Sequence, residues 1–96
     1  MARRMIIVEN VNHPGKTERV DAAKYSAARQ ALLSILPRAA PGMTQHEMAL
    51  AMRDALPSEQ FPGASATWWM KTVQLDLEAK GLVVRDKTKP LRWRAL

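Results

Sequence analysis

Ninety-six residues, 47% hydrophobic and 25% charged, bound one small domain with a single core. The absence of cysteine excludes a disulfide framework, a thiolate nucleophile and cysteine-ligated zinc. Net charge is +6, and most of the excess lies at the end: residues 82–96 carry Arg85, Lys87, Lys89, Arg92 and Arg94 against Asp86 alone. That end suits a polyanion or a phosphate backbone, although a basic tail also serves simple solvation.

Residues 1–20 carry the weakest signals. Arg3 and Arg4 precede only the apolar run Met5-Ile6-Ile7-Val8, too short for a signal peptide or a membrane span. The expectation is a cytoplasmic protein with no membrane partner. The run has strand composition, and residues 9–16, with Pro14-Gly15, read as turn or loop. Such a terminal strand must pair with something, cross to a second subunit, or remain a mobile arm.

Asp21 suits the N-cap of a first helix over residues 22–36, with Tyr25, Ala28, Leu32, Ile35 and Leu36 on one side and Pro37 as its stop. Thr44-Gln45-His46-Glu47 has capping-box spacing, in which the threonine hydroxyl serves the third helical amide and the glutamate reaches back. It starts a second helix over residues 45–56, with Met48, Ala51, Met52 and Ala55 as the expected buried stripe. Residues 57–63 break that helix, and Phe61 is expected to plug the loop against the core.

The chain is organised around a third helix within residues 64–81. Ser65 or Thr67 is the expected N-cap, and Gly81 suits the left-handed position just past the end. At about 100° per residue, Ala66, Trp69, Met70, Val73 and Leu77 form the core face. Trp68, Leu75 and Ala79 share the opposite side with Thr72 beside them, and Thr67, Lys71, Gln74 and Glu78 form a polar strip between. A helix apolar on two sides is either covered inside the monomer or met by a partner. Residues 82–85 and 91–94 then read as a hairpin around the polar turn 86–90. Leu91 and Trp93 fall on one face, Arg92 and Arg94 on the other.

Three helices, a short extended piece at Met43, and a basic terminal hairpin give a mainly α fold with a small β hairpin (α+β). This order, with residues 43–49 (MTQHEMA) and the 77–83 exit LEAKGLV, resembles the winged helix-turn-helix fold. The resemblance divides the chain into an N-terminal arm or strand, 1–20, and a winged-helix domain, 21–96. From about residue 9 to 93 the chain is also similar to a family of small uncharacterised bacterial proteins. Pro14-Gly15-Lys16-Thr17, Arg19–Tyr25, Trp68-Trp69, Lys71–Leu77 and Lys89–Trp93 carry that likeness.

The winged-helix resemblance implies double-stranded DNA as partner. It places Thr67, Trp68, Lys71 and Thr72 at groove-facing positions of the third helix. Arg85, Lys87, Lys89, Arg92 and Arg94 would then serve phosphates from the wing, with a log–log salt slope of up to about −4 to −5. Two features pull the other way: the helix has no arginine, and Trp68 and Leu75 put apolar surface where a groove-reader shows polar groups. The alternative is a protein-interaction module, such as a homodimer joined through Trp68, Leu75 and Ala79. Catalysis is not expected. His13 and His46 lack companions at telling intervals, and Pro14-Gly15-Lys16-Thr17 lacks the upstream glycine of a phosphate loop. No cofactor or metal is expected.

Overall fold

A computed structural model describes residues 3–96. Its elements run β1 (Met5–Glu9), β2 (Thr17–Asp21), α1 (Ala22–Ile35), β3 (Met43–Thr44), α2 (Gln45–Ala55), α3 (Ser65–Ala79), β4 (Val83–Asp86) and β5 (Arg92–Ala95). The fold is a small α+β arrangement of three helices and two antiparallel sheets. β1 pairs with β2, and β5 lies between β3 and β4.

The N-terminal segment pairs within its own chain. Met5 faces Asp21 and Glu9 faces Thr17 across the β1–β2 hairpin. Alternation turns Val8 and Val20 inward, where they join the same apolar cluster as the helices. β2 runs straight into α1, and Asp21 caps that helix as its sequence suggests, accepting from the Lys24 amide at 2.9 Å.

α2 opens with the complete capping box: Thr44 N–H donates to Glu47 Oε1 at 2.8 Å, and Glu47 N–H to Thr44 Oγ1 at 3.2 Å. Met48 and Met52 are buried, but Ala55 is exposed, and the core contact at this end of α2 comes from its C-cap Leu56. α3 starts differently from expectation. Ala64 is the N-cap and no side chain caps the helix; Ser65 Oγ instead donates to the Pro62 carbonyl at 2.8 Å. The turn from Pro62 leads directly into the helix, so neither Ser65 nor Thr67 is placed to serve its first amides.

The end of α3 follows its sequence. Gly81, at φ 76°, closes a Schellman motif in which Gly81 N–H donates to the Glu78 carbonyl and Leu82 N–H to that of Leu77. Because the Leu82 amide is used there, β4 begins at Val83, one residue later than expected. β5 is shifted likewise and leaves Leu91 exposed, while Trp93 is buried.

The expected core face of α3, Ala66, Trp69, Met70, Val73 and Leu77, is buried throughout. Phe61 is 3% exposed and meets Trp69 edge-on, with ring centroids 6.3 Å apart. The expected polar strip is corrected at two positions: Gln74 is 1% exposed and the Glu78 side chain 4%. Both face packed structure rather than solvent.

The most deeply set acid is Asp76, on α3, with no exposed surface. Its Oδ1 accepts from the Glu9 amide of β1 at 2.8 Å. Its Oδ2 accepts from the Tyr25 hydroxyl of α1 and, at 2.8 Å, from Lys80 Nζ. One carboxylate thus ties the hairpin, α1 and α3 together. Burial and the Asp76 carboxylate push the Tyr25 phenol well above the ordinary tyrosine value. The folded chain therefore holds that proton more tightly than the unfolded chain. The associated stability is complete below about pH 10, the unfolded value, and is lost as pH rises beyond it. Tyr25→Phe is expected to flatten this alkaline loss in urea-unfolding midpoints taken across that range. Parallel losses in both proteins would rule the linkage out. Tyr25 is the only tyrosine, so phenolate absorbance reports it cleanly.

Candidate nucleic-acid interface

The outer side of α3 is divided between two neighbours. Toward its N-terminus, half-buried Thr67 and exposed Lys71 line a shallow groove with Met70 and with Gln45, His46 and Ala49 of α2. Toward its C-terminus, half-buried Thr72 and Leu75 form the floor of a cleft of about 210 Å³ beneath the β1–β2 hairpin. Ala79 is exposed beside the hairpin loop at Val11, Pro14 and Gly15. The β1–β2 hairpin therefore covers Leu75 of the second apolar face of α3, and Ala79 stays exposed at its edge. Trp68 lies outside that cover. It is 48% exposed, and its ring is held edge-on to buried Trp69, centroids 5.0 Å apart at 84°.

The five cations of the terminal hairpin also separate into two groups. Arg85 forks onto Glu78, with Nε to Oε1 at 3.0 Å and Nη2 to Oε2 at 2.8 Å, and its guanidinium lies 5.4 Å from the Trp93 ring centre. The Trp93 indole donates to the same Glu78 carboxylate. Such two-pronged pairing fixes Arg85 in place. Arg94 Nε donates to Asp86 Oδ2 at 3.0 Å across the β4–β5 ladder. Arg92 Nη1 donates to the Gly42 carbonyl at 2.9 Å and lies 3.5 Å from Glu47 Oε1. The Thr44 amide, then its hydroxyl and Arg92, hold the Glu47 carboxyl below the ordinary carboxylate range.

Three of the five expected wing contacts are thus engaged with the chain's own acids and carbonyls. Lys87 and Lys89, at the exposed turn between β4 and β5, have no acidic partner among the described residues. With Lys71 they form the open cationic set that the structure leaves from the expected site.

The sequence reading missed Asp76 and Glu78 as organising acids. For Asp76 a signal existed: it lies three residues after Val73 and next to Leu77, at the border of the apolar face. For Glu78 the signal was absent, because its partners Arg85 and Trp93 meet it only once the terminal hairpin folds back. His13, in the β1–β2 turn, and His46, on α2, are both exposed. No group of three or more metal-ligating side chains gathers among the described residues. Among those residues, too, no helix is long and apolar enough to cross a membrane.

Residues 5–93 match a family described as a "Family of unknown function (DUF6958)". The chain belongs to that family. The DUF6958 match spans every element above except the last two residues of β5, so the hairpin over α3 and the terminal sheet both fall within it. No curated protein and no solved structure shows a match to the chain.

Proposed function

We propose that this chain is a winged helix-turn-helix domain that binds nucleic acid, with duplex DNA as the expected partner. The observation that carries the reading is the pairing of β3, the two-residue strand between α1 and α2, with β5. That pairing stands the terminal hairpin beside α2 and α3, the arrangement a wing requires, and leaves Lys87 and Lys89 at its tip. The step from this shape to an activity is an analogy of fold; the open cations give it chemistry.

The front of α3 supplies the rest of the surface: Thr67 for a hydroxyl contact, Lys71 for a phosphate or a guanine edge. Arg85, Arg92 and Arg94 act chiefly as braces that hold the wing in shape. With Lys71, Lys87 and Lys89 as phosphate ligands, the log–log salt slope is expected at about −2 to −3 rather than −4 to −5. Fluorescence anisotropy on random-sequence duplex at two salt concentrations measures it. The double variant Lys87→Glu, Lys89→Glu is expected to weaken binding at least tenfold at low salt while leaving the unfolding midpoint nearly unchanged. Equal affinity of wild type and variant would remove the wing from the interface.

A second reading, self-association, draws on the exposed Trp68. A stable interface needs about 800 Å² from each partner. Leu75 lies under the hairpin, so Trp68 has lost much of the apolar face that sequence alone gave it. Sedimentation of wild type and Trp68→Ala decides between the readings: a wild-type dimer that dissociates in the variant favours association.

A further inference from the structure

We infer that Trp68 is a stacking platform for an unpaired nucleobase, so that the preferred ligand is a duplex ending in, or interrupted by, single strand. The inference rests on the nucleic-acid reading above and specifies its substrate.

The open face of α3 is poorly equipped to read paired bases. Bidentate contacts to base edges come mainly from arginine, lysine, asparagine and glutamine. α3 has no arginine or asparagine, and its one amide side chain, Gln74, is 1% exposed and turned into the protein. What remains open at the front of the helix is a hydroxyl, an ammonium and an indole, on Thr67, Lys71 and Trp68. In the rear half, Thr72 and Leu75 lie under the β1–β2 hairpin.

The same three groups suit a single strand. An aromatic face accepts any base, and a neighbouring cation holds the backbone that carries it. Lys71 follows Trp68 by three residues, so the two side chains flank each other on the helix surface. The chain's other two tryptophans are buried, Trp69 at 7% exposure and Trp93 at 4%. Among the three, Trp68 alone offers its ring to solvent, and its near-perpendicular contact with Trp69 narrows the orientations open to that ring before any ligand arrives. An indole already restricted in this way loses less conformational freedom when a base stacks on it.

Anisotropy titrations of one duplex, prepared blunt and with a short single-stranded overhang, test the proposal at fixed salt. Wild type is expected to favour the overhang by about 5- to 150-fold, the ratio that one stacked base supplies. Trp68→Ala is expected to bring the two affinities together, and Trp68→Phe to retain most of the preference. Trp68→Leu keeps apolar bulk without a π face and replaces the alanine variant if that one fails to fold. Quenching of wild-type tryptophan emission by the overhang alone supplies an independent readout. Equal affinities for both ligands in wild type overturn the stacking role and leave duplex binding intact. Failure to bind either ligand overturns the nucleic-acid reading itself, and this inference with it.

Discussion

Asp76→Ala is expected to lower stability by about 3–5 kcal/mol, the range for removing one partner from a buried charged network. A small domain has only about 5–15 kcal/mol in total. The substitution leaves the buried Tyr25 hydroxyl and the part-buried Glu9 amide without their acceptor. It also releases Lys80, whose side chain is 36% exposed and regains solvent at little cost. Tyr25 and Glu9 therefore carry most of the expected effect. Urea unfolding measures the loss, and hydrogen exchange locates it. Amides of β1 and β2 are expected to lose protection before those of α2, because Asp76 is the polar tie between the β1–β2 hairpin and α3. Asp76→Asn, which keeps one acceptor oxygen, is expected to fall between. A cost below about 1 kcal/mol for the alanine variant would show that apolar packing alone holds the hairpin down.

Gly42→Ala is expected to cost about 3 kcal/mol, at the upper end for forcing an extra methyl into packed structure. A Cβ at this position would overlap the carbonyl of Trp93, which is backbone and has no rotamer to give. β3 pairs with β5 at Met43–Trp93, so relief requires moving a strand. At about 4–8 °C per kcal/mol for a domain of this size, the midpoint is expected to fall by about 12–24 °C. Gly15→Ala makes the control: its φ of 87° strains any side chain, but no atom beyond its chain neighbours lies within 4 Å of the added carbon. That variant is expected to lose only about 1–2 kcal/mol. If the two glycine variants melt alike, β3 and β5 do not approach as closely as the structure has them.

Local signals carried far in this chain. The Asp21 cap, the capping box from Thr44 to Glu47 and the glycine stop at Gly81 each depend on residues within one or two helical turns, and each forms where its residues stand. The apolar stripe of α3 is likewise a property of the helix alone. β2 was hidden because Thr17-Glu18-Arg19-Val20-Asp21 holds one apolar residue in five, and its strand exists only through pairing with β1. Asp76 and Glu78 were hidden for a related reason. An acid becomes a tolerable core residue only when distant partners arrive: Tyr25 and Glu9 for the first, Arg85 and Trp93 for the second. The candidate site was legible as a sum of charges and an out-of-place tryptophan. It was not legible as a division into arginines that brace the wing and lysines that stand free, because that depends on which acids the fold sets beside them.

The position of β5 has a consequence for how the chain is made. This strand takes hydrogen bonds from both neighbours in its sheet, and its Ala95 amide reaches back to the carbonyl of Pro37. A polypeptide emerging from the ribosome has all three helices in hand before that central strand exists. Until then β3 has no partner, Gly42 has nothing to press against, and Glu78 lacks the indole of Trp93. Tertiary closure of this half of the molecule must therefore wait for residues 92–95, whereas the β1–β2 hairpin can settle onto α3 as soon as that helix has emerged.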